Sequence, residues 1–403
     1  MSDFEFDYRP GKIVGGAGCV DRIGTELEAK GLERALVLCG STVGATPEVM
    51  DPLREGLGDS LVGVFDETSA AKRLGTALAA AERARELNAD ALVAAGGGSA
   101  LDTAKTAAVL TSYDSPRDAA EGMVESGDVS AGSGDPLPTV AVPTTLAGAD
   151  LSVIAGTKLT LDPDDPRPGS EIPDGSVSDS RLMPTLLCYD AALFAATPTD
   201  LLTASAMNGF DKAVEALYSP YATPVTDGTA TEGVRLFAEN AAALAADDPD
   251  LGSLSDAVDG IVLAQYGVST PGRYKLSVIH AFGHGFSRDY DVHQGTVHGV
   301  LAPHVLRFVF GQVDGSRAAL ARALGAPVGE LDDEGLAAAA VEGVEAVRDD
   351  LGLPSRLRDI DGVDKSDLPG IAADIVADSL MDARPEGVDV SPEAVEDVLR
   401  AAW

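Results

Sequence analysis

The chain has 403 residues, 65 acidic against 29 basic, giving a formal net charge of −36 and a pI near 4.2, with an apolar share of 45% that supports globular folding over a length suited to two domains. Nucleic acid is excluded as an expected partner because phosphate backbones are held by basic surface, and no run approaches the roughly 20 uncharged apolar residues of a membrane span. The acidic start MSDFEFDYRPGK lacks the apolar stretch of a secretory signal, so the cytoplasm is the expected place, and dispersed acid with only eight lysines reads as the surface of a protein from a high-salt cytoplasm.

Residues 10–28 read as a short strand, a Gly-rich turn and a helix start. A regular alternation follows: a strand at 35–39, a helix at 46–57, a strand at 61–65, a long Ala-rich helix at 70–87 and a strand at 91–95. Strands alternating with helices of this length imply parallel strands joined by right-handed crossovers. Further strands are expected at 138–142 and 186–189. The Pro-, Gly-, Ser- and Asp-rich stretch 161–179 reads as an exposed loop or hairpin. After Thr197-Pro198, Ala-rich helical periodicity runs to Trp403. The predicted organisation is an α/β domain over 1–194 and an all-helical domain over 195–403. Cys19, Cys39 and Cys188 are odd in number and widely spaced, which fits neither a disulfide framework nor a CxxC metal site.

Three stretches carry candidate chemistry. GGGSALDTAK (Gly96 to Lys105) ends a predicted strand and opens a helix, where glycines let backbone approach a ligand and the helix N-terminus offers unpaired N–H groups to a phosphate. PTTLAGADLS (Pro143 to Ser152) follows another strand with two hydroxyls, Gly and Asp, a polar loop suited to phosphate or ribose and equally compatible with an ordinary capped turn. The stretch 276–310 holds all five histidines of the protein. His280 and His284 are four apart and share a helix face. His298 opens HGVLAPH, where Gly299 allows close backbone approach and Pro303 limits a helix start. His280, His284 and His298 read as site residues, and His293 and His304 as ordinary histidines.

These motifs, with SAMNGFDKAVEALYS (Ser205 to Ser219), occur in one order over residues 10–310 and resemble the iron-containing, or group III, alcohol dehydrogenases; PTTLAGADLS and EALY are most similar to the maleylacetate reductase branch. The resemblance implies a Rossmann-like dinucleotide domain followed by a helical domain, the dehydroquinate synthase-like fold. It further implies hydride transfer between NAD(P) and a small alcohol, aldehyde, ketone or oxoacid in a cleft between the domains, and a homodimer. Carried over by position, Gly97, Gly98, Ser99 and Asp102 hold the pyrophosphate and nearby groups, and Thr144 and Thr145 line the nucleotide cleft. Gly40 and Ser41 stand where many members place an Asp that pairs with the ribose, so NADP(H) is tolerated.

The family's metal pattern is broken. Members that bind iron or zinc use an Asp and a His four apart on one helix plus two later histidines. Aligned on Glu215, this chain has Asn208 and Lys212 at the first two positions and His280 and His298 at the others. An amide and an ammonium cannot replace a carboxylate and an imidazole as ligands of Fe²⁺ or Zn²⁺. The leading expectation is a metal-independent reductase in which Lys212 supplies the positive charge and one of His280, His284 or His298 the proton. The competing register pairs Asp211 and Glu215 with His280 and His298 as an iron, zinc or manganese site. A further departure is the lack of a Lys shortly before the strand at 186–189, where Arg181 is the nearby cation. Two other classes stay open: a dehydroquinate synthase-like lyase, for which Lys275, Arg288 and Arg307 are the candidate phosphate cations, and a nucleotide-binding protein without chemistry. Arg288, Asp289, Tyr290 and Asp291 lie in the loop between His284 and His298, as pocket residues or as exposed ones.

Overall fold

The computed structural model describes residues 4–403 except 271, 288, 289 and 291; Arg288, Asp289 and Asp291 therefore lie outside the described residues. The chain forms two compact units, Arg9–Thr197 and Pro198–Trp403, the second joined by the residues leading to Tyr8. The break between the two units falls at Thr197–Pro198. The first residues belong to the helical unit because Tyr8 packs edge-on against Tyr266 at 5.0 Å between ring centroids, which buries the Tyr8 ring.

The first unit is built on a six-stranded sheet of order β1-β8-β5-β4-β2-β3: β1 Lys12–Gly15, β2 Ala35–Gly40, β3 Leu61–Thr68, β4 Ala91–Gly96, β5 Thr139–Pro143 and β8 Leu186–Tyr189. All five strand pairs are parallel. The central strands β2, β4 and β5 are buried along nearly their whole length because helices cover both faces of such a sheet. Strands β6 Ile154–Lys158 and β7 Asp174–Ser178 form a separate antiparallel hairpin, so the Pro-rich stretch between them is the hairpin's connection. A helix at Pro116–Ser126, capped by Ser115 and opened by proline, is one the periodicity did not single out.

The strand order reverses between two neighbours. From β2 the chain goes outward to β3, and from β4 it goes the other way to β5, so the carboxyl ends of β2 and β4 flank a topological switch point, where open α/β sheets bind ligands. Register sets Gly96 of β4 opposite Pro143 of β5. The glycine turn and the PTT loop therefore leave the sheet side by side.

Cys19 and Cys188, far apart in sequence, are brought to 3.2 Å between sulfurs by the β1–β8 pairing; all three cysteines are buried and free.

The second unit contains no strand among the described residues. Its centre is the helix Thr199–Tyr218, buried on nearly every side from Leu202 onward, as expected for a helix surrounded by others. Against it pack the helices Val278–Ser287 and Gln294–Phe310. Pro303 does not limit a helix start as expected: it lies inside the Gln294–Phe310 helix. Its ring would crowd the carbonyl four residues earlier, that of Gly299, and the side-chain-free Gly299 gives the backbone room to adjust.

Candidate active site

In the first unit the helix Gly98–Thr111 starts directly after the glycine turn. Its N-cap, Gly97, has no side chain to satisfy the first N–H groups, which stay open to an anion. A Cβ on Gly97 would meet Thr145 Oγ1 at 3.2 Å, so the turn and the PTT loop are in contact. Gly96 has φ 137°, a backbone state that favours glycine. Thr144 donates its N–H to Gly96 O at 3.1 Å and accepts Thr197 Oγ1 at its carbonyl at 2.8 Å. Thr144 and Thr145 are both buried. The fully buried Lys105 donates to the carbonyls of Ala149 (2.6 Å), Ser152 and Ile154 (3.3 Å), which pins the loop after Thr145. These groups fit a dinucleotide phosphate.

Asp102, an expected cofactor residue, and Arg181, the cation nearest the missing lysine, both have other ties. Asp102 pairs with Lys72 at 3.0 Å, a cation 30 residues earlier in the chain. Lys72 reaches Asp102 from a turn where it adopts φ 46°, unusual for a residue with a side chain. Arg181 is held by Asp179 at 2.7 Å and by Gly134 O at 3.0 Å, so it is a loop clamp. Gly40 and Ser41 sit at the end of β2 beside the switch point, Gly40 with a regular extended backbone.

In the helical unit, Asn208, Asp211, Lys212 and Glu215 are spaced to share one face of the central helix. Glu215 is fully buried. Its Oε1 accepts the backbone N–H groups of Ile279 (2.6 Å) and His280 (3.3 Å) and the Tyr218 hydroxyl (3.2 Å), and its Oε2 lies 2.6 Å from His280 Nδ1. It closes the open N-terminus of the Val278–Ser287 helix, as an N-cap would, from a different helix. Burial pushes its acid up to about 7, against the opposing effect of the backbone N–H groups. Below that value a proton on Oε2 donates to His280 Nδ1, His280 Nε2–H donates to Asn208 Oδ1 at 3.2 Å, and Asn208 Nδ2 donates to Gln294 Oε1 at 3.3 Å, a continuous chain from Glu215 to Gln294. Burial, and secondarily the charges of His298 and Lys212, holds His280 well below its ordinary value, so its ring is neutral.

His298 is also fully buried, its ring 4.6 Å from that of His280 and edge-on to it. Burial pushes it down to about 3. Its Nδ1 lies 3.2 Å from Asp211 Oδ2, off the line of a formed hydrogen bond, and burial raises the Asp211 acid, with Glu215 adding to the effect. Gly283, beside His284, has no room for a side chain: a Cβ there would come within 2.2 Å of His298 Nε2.

His284, one helical turn beyond His280, is the partly open member at 37% side-chain exposure. Its Nδ1 is 3.0 Å from Oδ2 of the buried Asp378, a partner 94 residues away that no local signal announces. Lys212 is half-buried, and its charge lowers both His280 and His298. His293 is exposed and His304 half-buried. Tyr290 donates its hydroxyl to Asp367 at 2.6 Å.

The metal site of the family is not reproduced in its donor set. Asn208 and Lys212 offer an amide and an ammonium, Glu215 is spent on a helix end, and both ring nitrogens of His280 are engaged. Among the described residues no group of three or more His, Cys, Asp or Glu side chains converges as for a metal ion. Two of the three candidate phosphate cations of a lyase are engaged: Lys275 is buried and donates to Gly267 O at 2.9 Å, and Arg307 pairs with Glu345 at 2.6 Å; Arg288 lies outside the described residues.

Residues 10–166 match the family described as iron-containing alcohol dehydrogenase, and residues 202–403 match the C-terminal domain of the Fe-containing alcohol dehydrogenase family. The chain is 30% identical to a maleylacetate reductase of Sphingobium indicum, covering 80% of each chain. It is 28% identical to that of Pseudomonas aeruginosa, covering 100% of this chain and 98% of the other. The crystal structure of maleylacetate reductase from Agrobacterium tumefaciens superimposes with a TM-score of 0.78 at 25% identity, covering 100% and 99% of the two chains. No helix among the described residues is long and apolar enough to cross a membrane. The chain belongs to the iron-containing alcohol dehydrogenase family and is an NAD(P)-dependent oxidoreductase.

Proposed function

We propose that the chain reduces a small oxoacid, aldehyde or ketone with NAD(P)H and without a metal ion. Lys212 places its positive charge on the substrate carbonyl and offsets the negative charge that develops on oxygen. His284 gives the proton. The observation that supports this reading is the contrast among the site's cations and rings. His280 and His298 are buried and held neutral, whereas Lys212 is half-buried, is felt by both rings, and stands where sister enzymes carry a metal ligand. When bound, the reduced nicotinamide supplies the hydride. His284 is the ring that solvent and substrate can reach, so it, and not His280 or His298, exchanges a proton with them.

An anionic substrate suits Lys212, and the relatives named maleylacetate reductase point to an oxoacid of that kind. Gly40 and Ser41 put no carboxylate beside the ribose, so NADPH and NADH are both accepted. A homodimer completes the proposal on family resemblance. The test is Lys212→Met, which is expected to lower kcat with maleylacetate about 10²- to 10³-fold while leaving NADPH binding intact; near-normal turnover removes the proposal. Metal analysis of protein purified without chelator adds a second check, since stoichiometric iron or zinc would favour Asp211 and Glu215 with His280 and His298 as ligands.

A further inference from the structure

We propose that Asp378 is the positioning residue of the proton donor: its carboxylate fixes the His284 ring and tautomer so that Nε2 is the atom that exchanges a proton with substrate. The inference rests on the reading of His284 as the proton source. Asp378 lies at the junction between the helix Leu368–Ala377 and the turn Ser379–Ala383, with only 2% of its side chain exposed. Its Oδ1 accepts the backbone N–H of Leu380 at 2.9 Å, and its Oδ2 faces His284 Nδ1 at 3.0 Å. The backbone therefore fixes one oxygen, and the other lies against the ring. This carboxylate is not a surface acid swinging through rotamers, and the orientation it imposes costs little further entropy.

A carboxylate can only accept, so Nδ1 must be the N–H side of His284. During reduction the carbonyl carbon gains the hydride and its π electron pair moves to oxygen. That oxygen takes the proton from Nε2, and the ring passes from imidazolium to neutral imidazole with Nδ1–H still donated to Asp378. In the direction of alcohol oxidation the lone pair on Nε2 takes the hydroxyl proton. A ring without Asp378 is free to put its single proton on Nε2, where it blocks that step, and loses the negative charge that offsets the imidazolium.

A purely structural role for Asp378 as a turn cap predicts something different, and a double-mutant cycle separates the two. His284→Gln, Asp378→Asn and the double variant are assayed in the full chain for kcat with maleylacetate, NADPH affinity and melting temperature. H284Q is expected to lower kcat about 100-fold. D378N, whose amide oxygen still accepts from Leu380, is expected to lower kcat about tenfold or more with NADPH affinity and melting temperature close to wild type. In the H284Q background D378N is expected to cost nothing further. D378N at wild-type kcat, or losses that multiply in the double variant, overturns the role of Asp378 while leaving His284 as the donor. H284Q at wild-type kcat removes the donor assignment and the role of Asp378 with it. Should D378N not fold, Asp378→Ser, which keeps an acceptor for Leu380, provides the same comparison.

Discussion

Glu215 and His280 meet twice: the carboxyl lies 2.6 Å from the ring Nδ1 and also accepts the backbone N–H of the same residue at 3.3 Å. One side chain of the central helix therefore fixes both where the Val278–Ser287 helix begins and how its first histidine is turned. Structure and site are coupled at that point.

Glu215→Ala leaves buried N–H groups of Ile279 and His280 and the Tyr218 hydroxyl without their acceptor. Removing one side of a buried network of this kind costs about 3–5 kcal/mol. Glu215→Gln keeps an acceptor oxygen and should lose markedly less. Urea unfolding followed by circular dichroism checks the order; equal midpoints for the two variants would show that the helix end is satisfied in another way.

Gly283→Ala places a methyl group where His298 Nε2 now lies, at 2.2 Å from the new Cβ. The ring is enclosed, so it has to turn or the two helices have to separate, at about 1–3 kcal/mol. Reduced kcat together with a lower melting temperature is expected. A variant with unchanged turnover and stability would mean that the ring moves without consequence.

The pH dependence of stability carries the signature of His298. Its folded pKa, near 3, is depressed below the ordinary 6.5, so between those values the unfolded chain binds more protons and stability rises with pH. Glu215 works in the opposite sense: raised from 4.5 to about 7, it binds more protons when folded, and its contribution is lost as pH rises through that window. The two offset each other over much of the range. Comparing wild type with His298→Gln isolates the first: the stability of wild type relative to the variant should grow as pH increases from about 3 to 6.5. A difference that is flat in pH would contradict the buried neutral ring.

The charge of −36 repels itself, and salt screens it. Raising KCl from about 0.1 M to about 2 M, which shortens the screening length to a few ångströms, should raise the melting temperature. A melting temperature that falls over this series would speak against the high-salt reading of the surface.

The sequence alone determined the parts of this protein that depend on local period and local chemistry. Alternating apolar runs and helices at 35–96 imply the parallel sheet, and that sheet is present with strands ending where glycine follows. The clustering of histidines and the helix face shared by His280 and His284 were equally legible, because spacing along one helix is a local property. Tertiary structure decided the partners. Glu215 reads as a possible metal ligand in sequence, yet packing spends it on the end of another helix. Asp378 is one acid among 65 and becomes singular only because the fold sets it under His284. Lys72 against Asp102 and Cys19 against Cys188 likewise come from distant strands and turns brought together. The physical reason is the same in each case: burial and periodicity are written into neighbouring residues, whereas the charge or ring a side chain faces depends on contacts that only the completed packing creates.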